Sequence, residues 1–271
     1  MTTDATLPDT ATLTALRDFA TEVAWAGGRR TLAYFNNAVG VDIKADGTPV
    51  TIADREAETV MRDAIHARFP SHGVVGEEHG VHLGDSDYRW ILDPIDGTKA
   101  FIRGVPLYGT LVGIEYRGEP VVGVIYMPAL DEMIAAAHGL GCTWNGRRCS
   151  VNTTDNLGAS LVATTSATTL RRRMGDRYDD FISKIERERT WADCYAYVLV
   201  ATGRAEVALD PILSLWDCGP LLTVIEEAGG RFTSWTGERT ITGGEAVATN
   251  GVVHEAVLDL IRDIPALPEG N

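Results

Sequence analysis

The chain has 271 residues, 45% of them hydrophobic, with 24 Lys and Arg against 38 Asp and Glu for a formal net charge of −14. That length accommodates one large or two small domains with a sizeable core. The acidic surplus argues against general binding to nucleic acid or to an anionic membrane, although a small phosphorylated partner stays compatible because bound cations invert the local field.

The four cysteines, Cys142, Cys149, Cys194 and Cys218, contain no C-x-x-C pair and read as free thiols rather than a zinc site or a disulfide framework. The Thr/Asp-rich start lacks a basic segment followed by an apolar stretch, and no apolar run is long enough to span a bilayer, so a cytoplasmic enzyme is expected.

After a frayed arm at residues 1–11, Leu13, Leu16, Phe19, Ala20, Val23 and Ala24 recur at helical spacing and predict a helix from about Thr12 towards Tyr34. Within it, Gly27-Gly28 marks either a weak point or a close-packing point. Val39 to Asp46 reads as irregular or a short strand. Thr51 is an N-cap with Asp54 three residues on, a capping-box variant, and the helix it opens ends at Pro70-Ser71. Strands follow at Gly73–Gly76, Tyr88–Leu92, Gly109–Tyr116, Val121–Tyr126 and Met133–Ala137, with a hairpin turn at Arg117-Gly118 and turns plus a tight hairpin over Gly139 to Arg148. Beyond about Val151 the pattern alternates. Strands are expected at Ser160–Thr165, Glu206–Leu209, Arg231–Trp235 and Ala246–Thr249. Helices are expected at Tyr178–Arg187, Cys194–Thr202, from Leu221 to Gly229-Gly230, and at His254–Arg262. The chain therefore divides into an α+β part, residues 1–150, and an α/β part, residues 151–271, with a site in the crevice between them.

The segment Trp90-Ile91-Leu92-Asp93-Pro94-Ile95-Asp96-Gly97-Thr98 ends an apolar strand on two carboxylates. Such a pair suits an acidic turn, but it also suits a cation held between the acids. Gly97-Thr98 then opens a short element whose backbone N–H groups suit an anion, and carboxylates beside anion-binding amides are what metal-assisted phosphoryl transfer needs. Glu77-Glu78 sits at the end of a strand, and Trp216-Asp217 stands before a helical pattern where Asp217 also reads as a cap. If Asp54, Glu77, Asp93, Asp96 and Asp217 converge, hard oxygen donors without His or Cys favour Mg²⁺, Mn²⁺ or Ca²⁺ over Zn²⁺. His79 and His82 read as solvated loop residues, and Arg171-Arg172-Arg173 as a solvated helix face or loop. Residues 31–46 and 166–178 are the least legible and suit mobile lids.

Gly76-Glu77-Glu78, the run Trp90 to Thr98, and Trp216-Asp217 followed by Glu227-Ala228-Gly229-Gly230 together resemble the inositol monophosphatase superfamily of Mg²⁺-dependent phosphomonoesterases. The resemblance covers residues 12 to 262. It implies an α/β fold, a layered αβαβα sandwich of the inositol monophosphatase and fructose-1,6-bisphosphatase type. It also implies two or three Mg²⁺ per site, replaceable by Mn²⁺, and a homodimer acting on a small phosphorylated substrate. Carried over, Glu77, Asp93, the Ile95 carbonyl, Asp96 and Asp217 would hold metal, Thr98 and Asp54 would orient the attacking water, and the amides of Gly97 and Thr98 would bind phosphate.

Gly97 to Pro106, Trp191 to Tyr197 and Leu209 to Asp217 look like the bacterial histidinol-phosphatase branch of that superfamily. Its substrate would be cationic, and the extra carboxylates Asp193 and Asp210 would suit it. Ala192 and Ala196 stand where that branch often has Gly. Other classes fit less well: an aspartyl-phosphate phosphatase of the haloacid-dehalogenase type needs Asp at i and i+2, whereas here the second lies at i+3. A non-catalytic phosphate-binding module has no need to keep every candidate ligand and Thr98. Sister activities on inositol phosphate, fructose bisphosphate or a 3′-phosphoadenosine nucleotide are the alternative, with the net acidity disfavouring a substrate that carries two or more phosphates.

Overall fold

The computed structural model describes residues 7–45, 47–191 and 193–266, so that Asp46, Ala192 and most of the expected N-terminal arm lie outside the described residues. The first helix spans Thr10–Leu32, capped by the Asp9 side chain on the Thr12 N–H at 2.8 Å. Its buried stripe, Leu13, Leu16, Ala20, Val23, Ala24, Gly27, Gly28 and Thr31, follows the helical period. Gly27 and Gly28 serve close packing. A Cβ on Gly27 would lie 2.7 Å from Met61 Sδ, and one on Gly28 2.5 Å from the Tyr126 ring. The second helix, Ile52–Arg68, starts on the expected capping box, with the Thr51 N–H donating to Asp54 Oδ2 at 2.8 Å.

Both helices cover one face of an eight-stranded sheet. Its strands run in the spatial order Arg147–Cys149, Gly141–Trp144, Glu132–Ala137, Glu119–Met127, Gly109–Tyr116, Tyr88–Asp96, Gly73–Gly76, Gly80–His82. All neighbours are antiparallel except Gly73–Gly76 against Tyr88–Asp96. Period-two alternation divides the side chains between two cores. Trp90, Leu92, Val112, Ile114, Val122, Val124 and Tyr126 face the two helices, whereas Ile91, Leu111, Ile125, Met127 and Ile134 face the opposite side.

On that opposite side lie the helices Cys194–Ala201 and Leu221–Glu227, and beyond them a five-stranded sheet ordered Arg187–Arg189, Leu161–Ala163, Val207–Asp210, Ala246–Thr249, Arg231–Thr233. Its first three strands are parallel and the rest antiparallel. Ala163, Ala208, Ala246 and Ala248 face the middle helices, while Val162, Val207, Leu209 and Val247 meet the outer helices Ala167–Met174, Arg177–Ser183 and His254–Ile261. Small side chains inward let the middle layer sit close to the sheet; large ones outward fill the last core. The chain is thus a helix–sheet–helix–sheet–helix sandwich. The helix Cys194–Ala201 is apolar all round because it is covered on both sides, and Ala196 is fully buried in it.

Within Val39 to Asp46, the short strand allowed there is present as Val41–Ile43, paired with Pro49–Thr51 in a hairpin. Two regions depart from the sequence expectation. Residues 167–174 form a helix that buries Leu170, Arg173 and Met174 rather than a lid, and residues 187–189 form an edge strand rather than the end of a helix. Among the described residues no helix is long and apolar enough to cross a membrane.

Candidate active site

The strand expected to stop at Leu92 continues to Asp96 through a bulge. Its pairing with Gly109–Tyr116 is regular down to Asp93↔Leu111, slips, and resumes at Asp96↔Gly109, so three steps on one strand oppose two on the other. In a regular strand, residues three apart point to opposite faces; one inserted residue returns Asp96 to the side of Asp93. Pro94, with no N–H to place, suits the break, and its carbonyl accepts the Thr110 hydroxyl at 2.9 Å. Asp93 Oδ1 accepts the Ile95 N–H at 2.9 Å, and Asp96 Oδ2 accepts the N–H of Cys194, the first residue of its helix, at 2.5 Å. A carboxylate at a helix N-terminus is electrostatically favoured.

Asp217 arrives from the other half of the chain. It is the third residue of the short helix Leu215–Cys218 and closes a capping box, its Oδ2 accepting the Ser214 N–H at 2.7 Å. Cap and site residue are therefore one side chain. The helix reaches the sheet because Gly113 and Gly123, paired across two strands, leave room for Gly219-Pro220. A Cβ on Gly113 would lie 2.5 Å from the Gly219 carbonyl carbon, and one on Gly123 would collide with the Pro220 carbonyl. As a result, Asp93, Asp96 and Asp217 each offer an oxygen within 4.8 Å of the others.

Glu77 follows the strand Gly73–Gly76 and lines the same cleft. Its turn is held from behind by Glu58, which is fully buried and accepts the N–H groups of Glu78 at 2.7 Å and His79 at 3.1 Å while Arg62 pairs with it at 2.6 Å. Gly76 has no side chain because the Glu58 carboxylate occupies the space a Cβ would take. Neither Glu58 nor Lys44 stood out in the sequence. Lys44, beside the hairpin Val41–Ile43, places its ammonium 2.7 Å from Glu77 and 2.5 Å from Glu78. Burial works against that charge, but the two partner carboxylates outweigh it and raise its pKa. Lys44 thus brings positive charge to the carboxylates of Glu77 and Glu78 at the edge of the cleft. Lys44→Met is expected to tighten metal binding about tenfold by removing the competitor, read by calorimetric titration of chelator-stripped protein. Unchanged or weaker binding would refute the competition.

The cleft, about 280 Å³, is lined by Glu77, Asp93, Ile95, Asp96, Gly97, Thr98, Lys99, Asp193 and Asp217, with Trp216 and Ile212 among its walls. Gly97 takes φ +90°, which turns the chain sharply into Thr98–Phe101. Asp54 is fully buried behind Thr98: the Thr51 N–H and hydroxyl occupy its Oδ2, and the Thr98 hydroxyl lies 3.4 Å from Oδ1 and 3.1 Å from the Ile95 carbonyl. His79 meets the Thr59 hydroxyl at 3.2 Å, away from the carboxylates.

The two extra acids part company. Asp193 lines the cleft from a left-handed backbone, φ +54°, with its N–H on the Thr165 hydroxyl at 3.1 Å. Asp210 does not line it. It is fully buried, accepting the Thr165 N–H at 2.7 Å and the hydroxyls of Tyr197 at 3.1 Å and Thr164 at 3.3 Å. Of the two acids expected to suit a cationic substrate, Asp193 therefore lines the cleft, and Asp210 stands behind it, tied to Thr164, Thr165 and Tyr197. The arginine run needs correction. Arg171 and Arg172 are exposed, but Arg173 is buried, stacked 3.7 Å over Trp235, paired with Glu245 and donating to the Pro211 carbonyl at 2.9 Å. It anchors the loop leading to Trp216 and Asp217.

Burial is the main force on every acid here. It raises Asp54, lifts Asp217 to about 6 and Glu77 to about 7, and with the neighbouring carboxylates pushes Asp93 and Asp96 well above the ordinary range. Burial and the charges of Asp210 and Asp217 bring Asp193 to about 7 despite nearby Lys99. Acids this close resist ionisation together unless positive charge joins them, and an all-oxygen donor set fits a hard divalent cation.

A five-layer sandwich with such a carboxylate cleft defines a metal-dependent phosphomonoesterase. The profile of the inositol monophosphatase family matches residues 12–266, and the chain belongs to that family. It is 41% identical over 232 residues to a histidinol-phosphatase of Chlorobaculum parvum, covering 85% of this chain and 90% of that one. It is 40% identical over 224 residues to a histidinol-phosphatase of Mycobacterium tuberculosis, covering 80% and 86%. Among solved structures, an inositol monophosphatase from Anabaena (Nostoc) superposes with a TM-score of 0.80 at 31% identity, covering 94% of this chain and 98% of that one.

Proposed function

We propose that the chain hydrolyses L-histidinol phosphate to L-histidinol and phosphate, with two or three Mg²⁺ held by Glu77, Asp93, the Ile95 carbonyl, Asp96 and Asp217. Mn²⁺ would satisfy the same donors. Bound metal would supply the positive charge that acidifies a neighbouring water and stabilises the leaving oxygen.

The chain's own groups do the rest. The amides of Gly97 and Thr98 hold phosphate oxygens at the start of Thr98–Phe101. The Thr98 hydroxyl accepts a proton from the attacking water and passes its own to Asp54, whose free oxygen lies behind it. Thr51 keeps Asp54 aimed. The observation that carries the substrate reading is Asp193, a carboxylate in the cleft beyond the metal-holding set, suited to the ammonium of the alcohol. Asp210 acts through it: it holds the Thr165 backbone, and the Thr165 hydroxyl holds the Asp193 N–H. The names of the two relatives support the same substrate. Hydrolysis of inositol 1-phosphate, or of a wider set of sugar or nucleotide monophosphates, is the second reading. It is favoured by the burial of Asp210, which leaves the cleft one extra acid rather than two.

The test is phosphate release with Mg²⁺, comparing kcat/KM for L-histidinol phosphate and myo-inositol 1-phosphate. A preference for histidinol phosphate of about 100-fold, or ~2.7 kcal/mol, is expected, and Asp193→Asn is expected to reduce it by raising KM for the cationic substrate alone. Equal rates on both substrates, or equal losses in the variant, would transfer the assignment to the second reading. A homodimer belongs to the same proposal, checked by sedimentation.

A further inference from the structure

The hairpin Gly141–Trp144 to Arg147–Cys149 forms the far edge of the large sheet. Asn145 and Gly146 make its two-residue turn with φ of +47° and +74°, the doubly left-handed geometry that locks register. Trp144 pairs with Arg147, Thr143 with Arg148, and Cys142 with Cys149. Directly opposed residues on antiparallel strands project to the same face with Cα atoms ~4.5–5.5 Å apart. A disulfide spans Cα separations of ~4.4–6.8 Å. The two thiols therefore stand on the same face of the hairpin, where a bond between them needs no change of register. The base of the hairpin is also held, since the N–H groups of Gly139 and Gly141 donate to the Glu227 carboxylate at 2.7 and 2.6 Å.

We propose that Cys142 and Cys149 are a reversible dithiol–disulfide pair, a covalent modification site on the sheet edge, closed by exchange with a low-molecular-weight organic disulfide. The two thiols are unequal. Cys142 is buried, whereas Cys149, on the outermost strand, is half-buried and open to a small reagent. The neighbouring Cys142 thiol and Arg204 favour the Cys149 thiolate, while the same neighbour and burial disfavour ionisation of Cys142. Arg204 is itself held over the Trp144 ring at 4.5 Å and paired with Glu132 at 2.9 Å. The Cys149 thiolate attacks one sulfur of the external disulfide; that S–S bond breaks, and the departing thiolate takes a proton. Cys142 then loses its proton to solvent and attacks the Cys149 sulfur, expelling the second small thiol. Two protein thiols become one disulfide, and one external disulfide becomes two thiols. Cys194 and Cys218, both buried and with no register partner, take no part.

The experiment uses the full chain, native, incubated with excess oxidised glutathione, then quenched in acid, denatured, alkylated and weighed intact and as peptides. Of the four cysteines, two are expected to alkylate, with one linked peptide joining Cys142 to Cys149, and reduced dithiothreitol is expected to restore four. Cys142→Ser is expected to stop at a mixed disulfide on Cys149, and Cys149→Ser to form neither bridge nor adduct. Four alkylated cysteines in the parent chain, a mixed disulfide that never resolves, or a bridge involving Cys194 or Cys218 would overturn the proposal.

Discussion

Asp93→Asn is expected to lose about 10³-fold in kcat/KM, roughly 4 kcal/mol of transition-state stabilisation, while the metal-free protein gains stability at pH 8. Asp93 is 1% exposed and shares its space with Asp96 and Asp217. Replacing it removes one donor from the set and one charge from a cluster that repels itself. The sign follows from proton linkage. Asp217 at about 6 and Glu77 at about 7, with Asp93 and Asp96 also raised, all lie above the ~4 of an unfolded carboxylate. Between those values the native state binds more protons than the unfolded state, so metal-free stability falls as pH rises from about 4 through 7. Melting in chelator from pH 5 to 8 should show that fall in the parent and a shallower one in Asp93→Asn. Added Mg²⁺ should raise the parent's Tm more at pH 8 than at pH 5, because the cation replaces the missing protons. Near-normal turnover in the variant, or a chelated variant less stable than the parent at pH 8, would sink the assignment of Asp93.

Much of this was legible in the sequence, for identifiable reasons. Turn residues flanking β-branched runs give Gly73–Gly76 and Gly109–Tyr116 their observed bounds from sequence alone. Thr51 and Asp54 announced their capping box at the right spacing. The bulge at Pro94-Ile95 was not legible, since it depends on which residues of the neighbouring strand stand opposite. Asp210 lies deeper than its partner Asp193, and a signal for that existed. In Val207–Asp210, Val207 and Leu209 face the outer core, so alternation sends Asp210 inward with Ala208, towards Tyr197. Arg173 similarly sits three residues after Leu170 and beside Met174, on the buried stripe of its helix. Cys142 and Cys149 lie symmetrically about Asn145-Gly146, a relation that matters only once the turn is recognised as two-residue. Lys44 gave no signal, because its meeting with Glu77 depends on how the hairpin folds over the cleft.

The paired glycines Gly113 and Gly123 seat Gly219-Pro220 against the sheet just after Asp217. Gly123→Ala is expected to lower kcat by about 10²-fold, the usual consequence of displacing a reacting constellation by an ångström, and to destabilise the protein by ~1–3 kcal/mol through overpacking. The new methyl would meet the Pro220 carbonyl, backbone that no rotamer change can move aside. Relief requires the start of Leu221–Glu227 to lift from the sheet, and Asp217 lies only three residues before Pro220. Gly113→Ala should act similarly through Gly219, whereas Gly40→Ala, whose added Cβ meets nothing within 4 Å, should be near neutral. Metal titration separates misplacement from simple loosening: a shifted Asp217 weakens binding in protein that is still fully folded, so the midpoint for Mg²⁺ activation should rise at temperatures well below Tm. If Gly123→Ala melts earlier but keeps the parent's midpoint and kcat, the glycine pair serves only packing, and the carboxylate cleft is positioned by its own hydrogen bonds alone.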